Sequence, residues 1–137
     1  MSPAVRVLLI MLGGIFILQM SLKQFAGIPI EQVLGFVPSE FLSGRIWQIL
    51  TYPFLHGGIL HLMFNCLILY TLGTELEHRW GTRNFLKFYG VCATGGALLH
   101  LLIWGLSFVA FPSATEALGN VAIIGASGAL YGLFMAF

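Results

Sequence analysis

Four stretches of this chain are too apolar to lie in water, and they set the limits on everything else. Ala4–Leu22 is broken only by Arg6, Gln19 and Ser21. Gly57–Gly73 and Phe85–Trp104 are comparable, and a fourth stretch opens at Val121 and runs to Phe137. About 20 apolar residues cross a bilayer's hydrocarbon core. Backbone polar groups inside that core must pair internally, which leaves helices or a closed barrel. Runs of this length without alternation predict helices. The expected fold is therefore an all-α polytopic membrane protein with spans near residues 4–22, 57–73, 85–104 and 121–137. Charged residues make up 8% of the chain, against about 25% in soluble domains. The formal net charge is +1. No basic cluster suits nucleic acid, so the lipid bilayer is the expected surrounding partner.

The connections differ in texture. A signal peptide is the alternative for the first stretch, with Arg6 as its charged end. No small-residue cleavage pattern follows Met20, however, and Lys23 suits an interfacial anchor. Lys23–His56 carries Pro29, Pro38 and Pro53 between short apolar patches. It is too long for a tight connection and too broken to span. An irregular segment lying at the interface, with short helical pieces, is expected, and Trp47 and Tyr52 suit the headgroup belt. Thr74–Asn84 reads as a solvated charged loop, and Gly105–Asn120 as a second loop containing Pro112 and Glu116. With alternating spans, Arg6, Arg79, Arg83 and Lys87 fall on one side, and Lys23 and Arg45 on the other. The positive-inside rule then puts the N-terminus in the cytoplasm. A bacterial cytoplasmic membrane is the expected location, since no transit peptide precedes the first span.

Polar chemistry within the spans is sparse. Ser127 sits in Gly125-Ala-Ser-Gly128, and a serine flanked by glycines at a helix entrance is a common way to expose a nucleophile. The alternative is packing, because Gly128 and Gly132 form a small-x-x-x-small pair that lets helices approach closely. His61 and Asn65 lie i, i+4 and share one helix face. Polar groups in a span turn inward, either as interhelical glue or as part of a site. His100, near the far end of the third span, fits an interfacial histidine. The sequence has no aspartate, so a Ser-His-Asp triad within it is excluded. Cys66 and Cys92 match no zinc spacing and are expected to be free thiols; no metal is expected.

Alternation brings the starts of the second and fourth spans to the same side, with His61, Asn65 and Ser127 at similar depth. A serine at a helix N-terminus has unpaired backbone N–H groups beside it. An acyl-transfer oxyanion needs such donors. His61 and Asn65 add two side-chain donors, and Gly125 permits close backbone approach. In this arrangement His56-Gly-Gly-Ile-Leu-His61-Leu-Met-Phe-Asn65, Glu75-Leu-Glu77-His-Arg-Trp-Gly81 and Gly125-Ala-Ser127-Gly128-Ala-Leu-Tyr131-Gly132 resemble the rhomboid family of intramembrane serine proteases. Gly44-Arg45-Ile-Trp47-Gln-Ile-Leu-Thr51 resembles the family's segment before the second span.

That resemblance implies a helical bundle of six spans, about four of them present here. It implies Ser127 as the nucleophile, with His61, Asn65 and Gly125 around the oxyanion. Tyr131 would pack against the catalytic histidine, and Gly128 and His56 would support the site. Substrates would be single transmembrane helices of membrane proteins, and no cofactor would be needed. The family's base is a histidine on a later span, which these residues do not include. As helix, Ser127 to Phe137 rises about 16 Å, half of a ~30 Å core. The chain is therefore expected to be a piece of a longer protein, inactive by itself. The competing expectation is a non-catalytic rhomboid-like protein that binds transmembrane helices. A channel or transporter fits less well, because no polar track crosses the spans.

Overall fold

A computed structural model describes all 137 residues. The chain is a bundle of nine α-helices with no β-sheet. These are α1 (Pro3–Ser21), α2 (Ile30–Leu34), α3 (Pro38–Leu42), α4 (Gln48–Thr51), α5 (Ile59–Ile68), α6 (Thr74–Trp80), α7 (Thr82–Ala110), α8 (Pro112–Asn120) and α9 (Ser127–Ala136). A π-helical turn at Leu22–Ala26 extends α1 and another at Leu69–Gly73 joins α5 to α6, so that Pro3–Ala26, Ile59–Trp80 and α7 itself, Thr82–Ala110, are long and apolar enough to cross a membrane. α9 is apolar but shorter.

Pro3 opens α1, where a missing N–H costs nothing and the fixed φ suits the first turn. Val5, Leu8 and Leu12 then form a buried stripe. It meets Leu62, Leu69 and Leu76 from the second long helix, and Phe85, Tyr89 and Ala93 from α7. Ala129, Leu130 and Leu133 of α9 complete this core. Outside it, large apolar side chains such as Ile10, Ile17, Leu67, Val91 and Leu102 are exposed, as a protein solvated by lipid tails requires.

Three sequence expectations are corrected. Thr74–Asn84 is not a loop: the helix continues to Trp80, and Gly81 turns the chain at φ +77° before α7 starts at Thr82. Glu77, expected in water, is buried. Its carboxylate accepts the N–H groups of Ala4 at 2.9 Å and Val5 at 3.0 Å, and the hydroxyl of Thr82 at 2.7 Å. The reason is that the first-turn amides of α1 lack intrahelical acceptors, and the positive end of a helix favours a carboxylate. Gly105–Asn120 is also helical, because α7 runs to Ala110 and Pro112 starts α8.

The third correction concerns the fourth apolar stretch. Residues 121–126 are not helical, and α9 begins at Ser127. Ile123 exchanges two backbone hydrogen bonds with Phe36, at 3.0 and 2.9 Å, forming an isolated bridge. An extended strand-like piece thus obtains its partners from the Lys23–His56 segment rather than from its own helix. That segment folds into α2, α3, α4 and a 3-10 turn at Tyr52–Phe54, short pieces between the prolines.

Candidate active site

Ser127 is the first residue of α9 and is half-buried. The turn before it is fixed from below. The Gly125 N–H donates to the Tyr52 carbonyl at 2.9 Å, and Gly125 holds φ +111°, a region that side-chain-bearing residues avoid. The first hydrogen bond of α9 runs from the Leu130 N–H to the Ala126 carbonyl at 3.0 Å. The amides of residues 127–129 therefore have no intrahelical acceptor. No side chain caps them.

His61 and Asn65 stand on α5, one turn apart, and face this turn. A Cβ placed on Gly125 would lie 2.6 Å from His61 Cε1, 2.9 Å from His61 Nε2 and 3.6 Å from Asn65 Nδ2. Only a glycine lets the turn close onto the imidazole. Asn65 is buried, and its Nδ2 lies 2.8 Å from His56 Nε2. The His56 ring packs edge-on against His61, with centroids 5.0 Å apart. His56 is fully buried in the connection before α5. Burial, reinforced by the facing His61 ring, pushes its imidazole down to about 4, so the ring is neutral near pH 7.

Two cavities meet at Ser127. One, of about 240 Å³, is lined by Asn65, Ile68, Ser127, Leu130, Tyr131 and Phe134. The other, of about 460 Å³, includes Tyr52, Gly96, Ile123, Ile124, Ser127, Gly128 and Tyr131 in its wall. Ser127 is thus reached from both sides, with the Asn65 amide in the wall of the first cavity. Tyr131, one turn along α9, is exposed and borders both. Gly128 does something different: it is where α9 crosses α7. A Cβ there would stand 3.6 Å from the Gly96 Cα and 3.2 Å from the Tyr52 hydroxyl. That hydroxyl in turn donates to the Ala93 carbonyl.

The structure therefore brings Ser127, Gly125, His61, Asn65 and His56 into one cluster. His100 stands apart, its ring 6.4 Å from that of Phe36, and Cys66 and Cys92 are free. No histidine lines either cavity at Ser127. Sequence reasoning missed two participants. Tyr52, read as a headgroup aromatic, is buried and supports the Gly125 turn. Gln19, an interruption in an apolar run, is buried with its amide on the His56 backbone. A polar residue deep in a span was the available signal for Gln19.

Comparison with known proteins gives one consistent picture. Residues 43–137 match the family model described as the Rhomboid domain. The chain is 33% identical over 107 residues to RHOMBOID-like protein 5 of Arabidopsis thaliana, covering 77% of this chain and 31% of that protein. It is 36% identical over 84 residues to Rhomboid-like protease 3 of Toxoplasma gondii, covering 60% and 32%. It is 36% identical over 94 residues to Rhomboid protease GluP of Bacillus subtilis (strain 168), covering 69% and 16%. The match thus spans about a third or less of the length of these relatives. No solved structure matches the chain.

Proposed function

The chain belongs to the rhomboid family, and from that premise we propose that it carries the nucleophile and the oxyanion-binding groups of an intramembrane serine endopeptidase. Ser127 Oγ attacks the scissile carbonyl of a substrate segment lying in the cavities at the head of α9. The carbonyl oxygen, as it becomes an oxyanion, receives hydrogen bonds from the Asn65 amide, an N–H of the His61 ring and the unpaired amides that open α9. Such donors are most effective when held in place before the reaction, in a site screened from water. The observation that carries this reading is the closure of Gly125 onto His61 and Asn65 immediately before a serine that begins a helix. A packing serine requires none of these neighbours.

Substrates are membrane proteins presented as single transmembrane helices, because the site opens among lipid-facing helices. A substrate helix must unwind locally to place an extended segment beside Ser127. No metal or cofactor takes part in these steps. Proton removal from Ser127 falls to a histidine beyond those described, as the family resemblance implies. These 137 residues by themselves are accordingly expected to turn over no substrate. The membrane is the bacterial cytoplasmic one, with the N-terminus inside. The Glu77 contacts to Ala4 and Val5 support this orientation by setting the start of α1 beside the basic Arg79–Lys87 end.

The test is cleavage of a transmembrane reporter by the protein expressed from its own gene, before and after Ser127→Ala. Loss of all cleavage is expected; cleavage that survives refutes the reading. The alternative is a rhomboid-like protein that binds transmembrane helices without cutting them. Reporter retention without cleavage would select it.

A further inference from the structure

The oxyanion-binding groups all lie on α5 and α9, yet one buried side chain on α1 reaches toward them. We infer that Gln19 is a positioning residue for the Asn65 amide and acts on it through His56. The inference rests on the oxyanion role proposed above for Asn65. Gln19 lies outside the stretch 43–137 that matches the Rhomboid domain.

The geometry is a chain of matched donors and acceptors. Gln19 Oε1 accepts the His56 N–H at 3.1 Å, and Gln19 Nε2 donates to the His56 carbonyl at 2.9 Å. One amide thus grips both backbone groups of a single residue, as a neighbouring strand would. The second hydrogen of Nε2 goes to Glu31 Oε1 at 3.2 Å, an oxygen that also takes Lys23 Nζ at 3.0 Å. Gln19 is only 1% exposed, so water does not compete for these bonds. The clamp fixes the His56 backbone, and the buried ring it carries is confined by His61 and Asn65.

The ring then decides which way Asn65 points. Asn65 Nδ2 is 2.8 Å from His56 Nε2. It donates one hydrogen there, and its second is left for the Gly125 side. An amide turned by 180° would present Oδ1 to a developing negative charge and repel it. A neutral His56 that accepts at Nε2 selects the productive orientation, with its own proton on Nδ1, which faces the Phe54 carbonyl without meeting hydrogen-bond geometry. The titratable group facing the ring is His61, at 5.0 Å between centroids. Glu31 and Lys23 reach His56 only through Gln19. Links of this kind, made out of water, hold their members in place because a broken one leaves a buried group unsatisfied.

The test uses the protein expressed from its own gene, in detergent, with a transmembrane reporter substrate. Gln19→Met keeps the side-chain length and removes the clamp. It is expected to lower kcat at least about tenfold with KM nearly unchanged, a part of the roughly 10²–10³ that outright loss of an oxyanion donor costs. In an Asn65→Ala background the same change is expected to have almost no further effect, because no amide remains to be oriented. Nitrogen-15 spectra of the imidazoles give a second readout: His56 is expected as the Nδ1–H tautomer in the parent protein and as exchanging tautomers in Gln19→Met. An equal fold-loss in both backgrounds, or His56 signals that Gln19→Met leaves in place, overturns the inference. If Gln19→Met does not fold, Gln19→Asn, too short to grip both groups of His56, takes its place. Cleavage that survives Ser127→Ala would overturn the protease reading instead, and the imidazole spectra would still decide whether Gln19 sets the His56 ring.

Discussion

Gly125→Ala is the substitution that strains the proposed site most directly. Two costs follow from its position. The backbone sits at φ +111°, and holding a side-chain-bearing residue in such a region costs about 1–3 kcal/mol. The new methyl would also lie 2.6 Å from His61 Cε1 and 2.9 Å from His61 Nε2, inside van der Waals contact, so the ring or the turn must move. Forcing a group into a packed site adds about 1–3 kcal/mol. Loss of one oxyanion donor lowers kcat by about 10²–10³, so the displaced His61 alone accounts for at least a hundredfold. Gly27→Ala is the control. Gly27 also has positive φ, +63°, but a Cβ there meets nothing within 4 Å. It is expected to carry only the backbone cost and to leave kcat unchanged. Reporter cleavage and thermal unfolding in the same detergent measure both effects. Full kcat in Gly125→Ala, or an equal loss in Gly27→Ala, would refute the reasoning.

Glu77→Leu removes the acceptor for two α1 amides and one hydroxyl. Thr82 is exposed and water can replace its bond, so at about 1–3 kcal/mol for each of the two buried amides left unpaired a loss of about 2–6 kcal/mol in unfolding free energy is expected, with a smaller one for Glu77→Gln. The His56 imidazole, held near 4 in the fold against an ordinary 6.5, stays neutral while the unfolded chain takes up a proton. Its contribution to stability is complete above pH 6.5 and is lost as pH falls toward 4; His56→Gln is expected to flatten that slope in unfolding measured against pH. Glu31, whose burial is outweighed by hydrogen bonds from its own backbone, Lys23 and Gln19, is held below its ordinary 4.5 and acts only at lower pH. Gly132→Ala would drive a Cβ into the Cys92 Sγ and to 2.7 Å from the Cys92 Cβ. A loss of about 1–3 kcal/mol is expected, largely restored when Cys92→Gly is added in a double-mutant thermal-unfolding cycle.

The helices were legible because lipid leaves a spanning backbone few choices. Their ends were not, because the deciding contacts are remote. Nothing local tells that Glu77 lies beneath the start of α1, 72 and 73 positions away in sequence, so its charge reads as solvated. Nothing local tells that Ile123 pairs with Phe36, so an apolar run reads as helix from Val121. The grouping of the candidate residues was legible as well. His61 and Asn65 share a face by spacing alone, and alternation of spans brings Ser127 to their depth. Gln19 was visible only as a polar interruption, since its role depends on where His56 comes to rest. Gly128 kept its packing reading and lines a site cavity as well, at the crossing with Gly96.

The central claim is that Ser127 is a nucleophile beside preorganised donors. Its most direct measurement is covalent labelling of the protein expressed from its own gene by an alkyl fluorophosphonate, with the modified residue mapped by mass spectrometry. One adduct on Ser127 is predicted, absent in Ser127→Ala and slowed in Asn65→Ala. An adduct on any other residue, or none under conditions in which the reporter is cleaved, would contradict the account.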